Sequence, residues 1–301
     1  MNYIIFGGSG FIGTHLIKLL KNECLNKDDH IYDIDIVMPG EEGVVPGVVE
    51  KIEGVEYIRL DVRKTIDFEF QPTEKDIIFN LAAVHRTPGH PDHAYFETNI
   101  LGAENVTNFA EKYGINKILF TSSIAPYGAA EELKTEDTLP TPNTPYGISK
   151  LVAEKIHQIW QAKDKNRELT IVRPGIVYGK GEHGNMTRLY KALRGHYFMY
   201  TGRKDTIKAC IYVKELVRFI KYRMLDNDFK GVDVFNCTYE PAFNIERICN
   251  TILKATDMHR HVPLLPAGLL MSIAKNADAE EMGSSGCERA TSGIQRPVPM
   301  Q

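Results

Sequence analysis

The chain has 301 residues, a formal net charge of -3, 43% hydrophobic and 25% charged residues. That length supports one large domain, or a large one with a smaller lobe, with a sizeable core. The balanced charge, with no run of Lys or Arg, argues against broad nucleic-acid binding, and the apolar stretches are far below membrane-spanning length.

In chain order, Tyr3 to Phe6 reads as a first strand, and Thr14 to Lys21 as a helix with Leu16, Ile17, Leu19 and Leu20 inward. Ile31 to Val37, Val55 to Leu60 and Asp76 to Leu81 read as three further strands, Ala94 to Tyr113 as a long helix, and Lys117 to Thr121 as a fifth strand. Strands apolar on both faces with helices between them predict a parallel sheet covered on both sides, doubly wound through right-handed crossovers. Pro140, Pro142 and Pro145 mark a loop before a helix that starts near Tyr146, and Leu169 to Val172 is a sixth strand. After Tyr178 come a glycine loop, a helix at Met186 to Leu193, a helix or a strand leading into one at Tyr212 to Leu225, and a strand at Gly231 to Cys237. The expected division is a dinucleotide-binding domain over 1–179, a smaller substrate lobe over 180–275 with some segments returning to the main sheet, and an irregular tail over 276–301. The fold class is therefore α/β.

Gly7-Gly8-Ser9-Gly10-Phe11-Ile12-Gly13 follows the first strand and opens the first helix. That context makes a glycine fingerprint a diphosphate site. Gly7 and Gly10 let the backbone approach the ligand, Gly13 lets helix and strand pack closely, and the helix N-terminus at Phe11 and Ile12 offers N–H groups and a partial positive charge. An acid at the end of the second strand should hold the adenosine ribose. Asp33 and Asp35 both lie near that point, and Asp35, at the loop edge, is the preferred one. No Arg follows closely to receive a 2′-phosphate, which points to NAD over NADP. Asp61 and Val62 are placed for the adenine edge. Leu81, Ala82 and Ala83 run beside the cofactor, with core packing as the alternative for the alanines.

Tyr146 and Lys150 stand four apart on a helix and face one way. A free phenol titrates near 10, and bringing it to neutrality needs about 4 kcal/mol, which a nearby ammonium and a nicotinamide charge are expected to supply. Tyr146 would then exchange a proton with a substrate hydroxyl as hydride moves, while Lys150 also holds the nicotinamide ribose. Ser123, just past the fifth strand, is expected to donate to the reacting oxygen, with Ser122 as its competitor.

These pieces resemble an extended short-chain dehydrogenase/reductase of the NAD-dependent epimerase/dehydratase family. The matching segments are 7–13, Asn-Leu-Ala-Ala at 80–83, Asn99 in its helix, Thr-Ser-Ser-Ile-Ala-Pro-Tyr-Gly at 121–128, Tyr-Gly-Ile-Ser-Lys at 146–150 and Val-Arg-Pro-Gly-Ile-Val-Tyr-Gly at 172–179; Ile211-Tyr212-Val213 resembles a further segment. The resemblance implies a Rossmann-like sheet, Ser123, Tyr146 and Lys150 as the catalytic set, a nucleotide-activated sugar as substrate, and a homodimer through helices flanking the sheet. The helix from Tyr146 carries Leu151, Val152, Ile156, Ile159 and Trp160, more apolar residues than one face needs. The chain departs from the family at three places. Ile124 and Ala125 stand where dehydratases carry an Asp-Glu pair, which argues against dehydration. Ile176 replaces an Asn common in nucleotide-sugar epimerases. Lys208-Ala209 replaces an Arg-Asp whose Arg grips the diphosphate; Lys208 keeps the charge without the bidentate fork, and Arg203 and Lys204 are candidates to compensate.

His85, Arg86, His90, Asp92 and His93 follow the fourth strand. His85 or Arg86 is a candidate to touch substrate, with an ordinary polar loop as the alternative, and the Pro and Gly spacing gives no metal expectation. Cys24, Cys210, Cys237, Cys249 and Cys287 are odd in number and lack CxxC spacing; with an N-terminus that runs straight into a strand, they lead to an expected cytoplasmic location. The leading functional reading is an NAD-dependent sugar-nucleotide epimerase working through a keto intermediate. The alternatives are a dehydrogenase or reductase of a non-nucleotide alcohol or ketone, and a cofactor-binding sensor without chemistry.

Overall fold

The computed structural model describes residues 1–41, 51–85, 89–129, 132–227, 229–266 and 268. Its elements are β1 (Asn2–Phe6), α1 (Phe11–Glu23), β2 (His30–Asp35), β3 (Val55–Arg59), β4 (Ile77–Asn80), α2 (Asp92–Tyr113), β5 (Lys117–Thr121), α3 (Pro145–Ala162), β6 (Glu168–Pro174), β7 (Ile176–Tyr178), α4 (Asn185–Arg194), β8 (Tyr200–Thr201), β9 (Ile207–Lys208), β10 (Cys210–Tyr212), α5 (Val213–Leu225), β11 (Gly231–Cys237), β12 (Phe243–Asn244), α6 (Ile245–Ala255) and β13 (Leu264–Leu265). The segment at 210–225 is thus a short strand leading into a helix.

Seven strands form one sheet in the order β11-β6-β5-β4-β1-β2-β3, parallel at every pairing. The chain winds outward in both directions from β1, so the strand order reverses between β1 and β4. A crevice at the carboxyl ends of the strands belongs at that reversal. Every residue of β1 is buried, and its side chains alternate between two cores. Ile4 and Phe6 join Ile78, Phe109, Phe120 and Trp160 on the face covered by α2 and α3. Tyr3 and Ile5 join Leu16, Leu20, Phe79, Leu216 and Ile220 on the face covered by α1 and α5. Central strands apolar on both faces are what a doubly covered parallel sheet requires.

The chain divides into two compact units, 1–188 with 207–243, and 189–206 with 244 onward. Residues 207–243, within the segment expected as the smaller lobe, belong to the first unit. The reason is β11, which pairs with β6 from Gly231 opposite Glu168 to Cys237 opposite Pro174, and α5, whose Leu216, Val217 and Ile220 complete the second core. The second unit has its own small core of Leu193, Tyr200, Cys249, Leu253 and Val262, a parallel β8–β13 pair, and an α6 capped by the Asn244 side chain, which accepts from the Arg247 N–H. The expected tail at 276–301 lies outside the described residues.

Candidate active site

The glycine turn is built by close backbone approach. Gly7 has φ +81°, and a Cβ there would lie 2.7 Å from the main-chain nitrogen of Ala82. Only glycine combines that angle with that contact, so the turn and the segment after β4 pack backbone to backbone. A Cβ on Gly13 would run into Gly8, whereas one on Gly10 would meet only the Gly7 carbonyl at 3.2 Å and otherwise fill open space. Gly10 is the N-cap of α1 and brings no side-chain cap. The first-turn N–H groups around Phe11 and Ile12, and the positive end of the helix, are left for a ligand. A cradle that a Cβ would fill, at an uncapped helix N-terminus, fits the diphosphate of NAD.

Asp35 ends β2, accepts from the Val37 N–H at 3.2 Å, and has its carboxyl pushed up by burial. Asp33, two residues earlier, is fully buried, while Asp35 is partly exposed. The sequence offered no arginine near Asp35, but β3 supplies one. Arg59 sits opposite Asp35 in register, donates to the Ile36 carbonyl and pairs with Glu41. With that partner its charge is already answered. Asp61 is gripped by Arg63, with Nη2 to Oδ2 at 2.7 Å, and Val62 is buried against Gly102. Leu81 donates its N–H to the Phe6 carbonyl, which carries Leu81, Ala82 and Ala83 past the glycine turn.

Thr144 caps α3 by accepting from the Gly147 N–H, which puts Tyr146 in the first turn and Lys150 one turn further on. Ser123 lies near enough to the Tyr146 phenol to favour its phenolate, and Ser123 Oγ accepts from the Ala125 N–H at 3.1 Å. Ser122 is excluded from that role because its hydroxyl is spent on Glu154 at 2.5 Å. Lys150 is buried and donates to the Thr121 carbonyl at 2.8 Å, 4.9 Å from the Phe120 ring centre. Burial lowers its pKa to about 7, against the pull of Glu154. Burial also raises Tyr146 to about 12, although Ser123 favours the phenolate. In the chain alone desolvation outweighs the pull of Ser123, and the expected lowering of Tyr146 includes a nicotinamide charge that arrives with the cofactor.

Beneath this set lies a buried network that sequence reasoning missed. Arg173 on β6 forks onto Glu154, Nε to Oε1 at 2.8 Å and Nη2 to Oε2 at 2.6 Å, and its Nη1 donates to the Tyr127 hydroxyl at 2.7 Å. Burial opposes the Arg173 charge, but Glu154 more than compensates and holds it protonated. Tyr127 in turn donates to Asn236 on β11 at 2.9 Å. His157 is buried, near Asn80 Nδ2 at 3.2 Å, and stacks on Phe120; burial lowers its pKa to about 4 and keeps it neutral. The signal was present in the sequence: Tyr146, Lys150 and Glu154 stand at i, i+4 and i+8, one polar stripe along the helix. Asn99 on α2 holds Val84 through both its N–H and its carbonyl and also donates to Ser149 Oγ at 2.9 Å. It fixes the start of the histidine loop to α3. His85 is exposed at that start, while Arg86 lies outside the described residues.

Two of the family departures are neighbours in space. Ile176 donates its N–H to the Ala209 carbonyl at 2.9 Å, and β7 pairs with β10 from Ile176 opposite Cys210. Lys208 belongs to the same segment. Arg203 lies in the second unit, ion-paired to Asp205 at 2.6 Å.

A doubly wound sheet, an uncapped glycine cradle at its reversal, and a Ser-Tyr-Lys set on β5 and α3 define a dinucleotide-dependent enzyme of short-chain dehydrogenase/reductase type. A family model described as the NAD dependent epimerase/dehydratase family matches residues 3–238, and the chain belongs to that family. It is 31% identical over 275 residues to an N-acetyl-alpha-D-glucosaminyl-diphospho-ditrans,octacis-undecaprenol 4-epimerase of Escherichia coli O157:H7, covering 87% of this chain and 76% of that protein. To a UDP-glucose 4-epimerase of Vibrio cholerae it is 31% identical over 196 residues, 62% of this chain and 55% of the relative. A solved structure of UDP-glucuronic acid 4-epimerase from Bacillus cereus in complex with NAD shares the fold, with a TM-score of 0.73 and 23% identity over 89% of this chain and 88% of that one.

Proposed function

We propose that this chain is an NAD-dependent 4-epimerase of a hexose carried on a diphosphate, with a nucleotide as the first candidate carrier. The observation that carries this reading is the nearness of the Ser123 and Tyr146 hydroxyls, past β5 and at the start of α3. Two hydroxyls that meet there converge on one substrate oxygen. When bound, NAD would supply a reversible hydride acceptor beside the sugar carbon, so that no net redox occurs.

The chain's own residues do the rest. Tyr146 takes the proton of the sugar hydroxyl as the carbonyl forms and gives it back on return. Ser123 donates to the same oxygen and stabilises its developing charge. Lys150, held by Thr121, favours the phenolate and positions the ribose. Asp35 holds the adenosine ribose, with Gly7, Gly10, Phe11, Ile12 and Gly13 around the diphosphate and Val62, Leu81, Ala82 and Ala83 along the rest of the cofactor. His85, Arg86 and Lys208 serve the substrate. Ile124 and Ala125 leave no acid pair for dehydration.

A second carrier is favoured by the adjacent departures at Ile176 and Lys208-Ala209. They alter the segment where nucleotide-sugar epimerases resemble one another, and the Escherichia coli relative is named for a sugar diphosphate on a polyprenol. A homodimer through α2 and α3 accounts for Leu101, Ile148, Val152 and Ile159, which stay exposed on those helices while Trp160 and Ile156 pack inward. Ile159→Glu should then turn a dimer into a monomer by light scattering, and a monomeric native chain would rule the dimer out. A cytoplasmic location suits Cys24, Cys210, Cys237 and Cys249, all free thiols.

The test is a proton NMR time course with NAD and a panel of UDP-, dTDP- and GDP-hexoses and polyprenyl-diphosphate sugars, with NADH absorbance followed in parallel. A new sugar signal without NADH supports the epimerase and identifies the carrier. Stoichiometric NADH would replace the epimerase with a dehydrogenase.

A further inference from the structure

An acid that the reaction does not use lies under the glycine turn. Asp33 is fully buried in β2, opposite Ile5 of β1 and Tyr57 of β3. Ser9, itself buried in the middle of the turn, donates its hydroxyl to Asp33 Oδ2 at 2.8 Å. Gly8 is pressed against the other oxygen, and a Cβ on Gly8 would collide with Oδ1. Gly8 is therefore glycine because of Asp33, whereas Gly7 and Gly13 are glycine because of backbone.

Oδ1 is buried without a hydrogen bond. The N–H groups of Gly8 and Ser9 are near enough to favour a charge there but are out of line for a bond. Asp35, on the same strand, and the Tyr57 phenol, on β3, are the titratable groups that interact with Asp33. The glycine turn contributes Ser9, and α1 contributes apolar Ile17, which lies beside Gly8. Among the described residues no cation acts on it.

We propose that Asp33 is a positioning residue of the cofactor turn, that it holds Gly8 and Ser9 as the protonated acid, and that its ionisation opposes the binding of the NAD diphosphate. The inference rests on the placement of NAD over Gly7–Gly13. Burial lifts the Asp33 carboxyl to about 7; the Ser9 hydroxyl pulls the other way and the Asp35 charge adds to the lift. Below neutrality the acid is uncharged and the turn sits on a neutral floor. Above it, a buried negative charge lies beneath two phosphates and draws on the N–H groups of the turn. NAD therefore binds the protonated form better, and by linkage its affinity falls as pH rises through neutrality.

The experiment is calorimetric titration of the full chain with NAD at pH 5.5, 6.5, 7.5 and 8.5 at constant ionic strength, for the native protein, Asp33→Asn, Ser9→Ala and Gly10→Val. The native Kd should rise about tenfold between the acid and alkaline ends, a size set by a single unscreened charge near the phosphates. Asp33→Asn should be flat to within about twofold, as a neutral isostere has no proton to lose. Ser9→Ala should move the break to higher pH, because Ser9 stabilises the ionised form; that shift keeps the test decisive if Asp33→Asn does not fold. A flat native profile would overturn the proposal, and so would an unchanged slope in Asp33→Asn, which would assign the titration to Asp35. Gly10→Val should lose NAD at every pH. Normal binding by that variant would reject the cofactor placement, a failure distinct from a flat profile.

Discussion

The floor beneath the reacting side chains and the floor beneath the cofactor turn each carry a carboxyl with no exposure, Glu154 and Asp33. Glu154 is answered by a forked arginine and a serine hydroxyl. Asp33 is answered by one serine hydroxyl and has a bare second oxygen. A buried charge either finds a full set of partners or is neutralised by a proton. The first solution suits a region that must keep one geometry through a catalytic cycle. The second suits a turn that must present N–H groups to an anion, because an arginine there would fill the space and a bare carboxylate would repel the ligand.

The largest effect expected on the catalytic side is that of Tyr146→Phe. Turnover should drop by roughly a thousandfold, the usual reach of one positioned acid–base group, with NAD affinity within about twofold of native. Stopped turnover with intact NAD titration supports the assignment, and retained activity removes Tyr146 from the reaction. Glu154→Gln comes next and targets the paired carboxyl. It leaves Arg173 buried without its charge partner and should cost about 3–5 kcal/mol in urea unfolding. It also removes the group that raises Lys150, so the Lys150 pKa should fall further, read by the pH dependence of its reaction with an amine reagent. A loss under about 1 kcal/mol would show that the network is not a structural unit.

Asp33→Asn is the smallest change and has the opposite sign at high pH. In the folded chain Asp33 keeps its proton up to about 7, whereas an unfolded Asp loses it near the ordinary 3.8. Over that window the folded state holds more protons than the unfolded one, so native stability declines as pH rises. Asp33→Asn is exempt from that decline. Its melting temperature should approach or pass the native value at pH 8 after starting level or lower at pH 4. Parallel melting profiles would mean that Asp33 is not the titrating group.

Much of this was legible in the sequence, for identifiable reasons. β5 and β11 are contiguous runs with sharp ends, and both fall at their expected bounds, Lys117–Thr121 and Gly231–Cys237. The glycine turn was readable because backbone angle and close approach constrain residue type. Ser123 could not be told from Ser122 by spacing, because the partner that occupies Ser122 comes from a helix 32 residues away. Arg59 was invisible for the same reason: strand register, not chain proximity, brings it beside Asp35. How strongly burial lifts Tyr146 was not legible, because a sequence shows which charges are near but not how dry the site is.

The most direct test of the epimerase is the fate of deuterium placed at carbon 4 of a sugar that the NMR panel shows to turn over. Conversion in ordinary water should give the epimer with its deuterium retained and no free NADH, because hydride leaves and returns within one active site. Loss of the label to solvent would contradict the account, since it would mean that the carbon is inverted by proton exchange and that the Ser123–Tyr146 pair serves another chemistry.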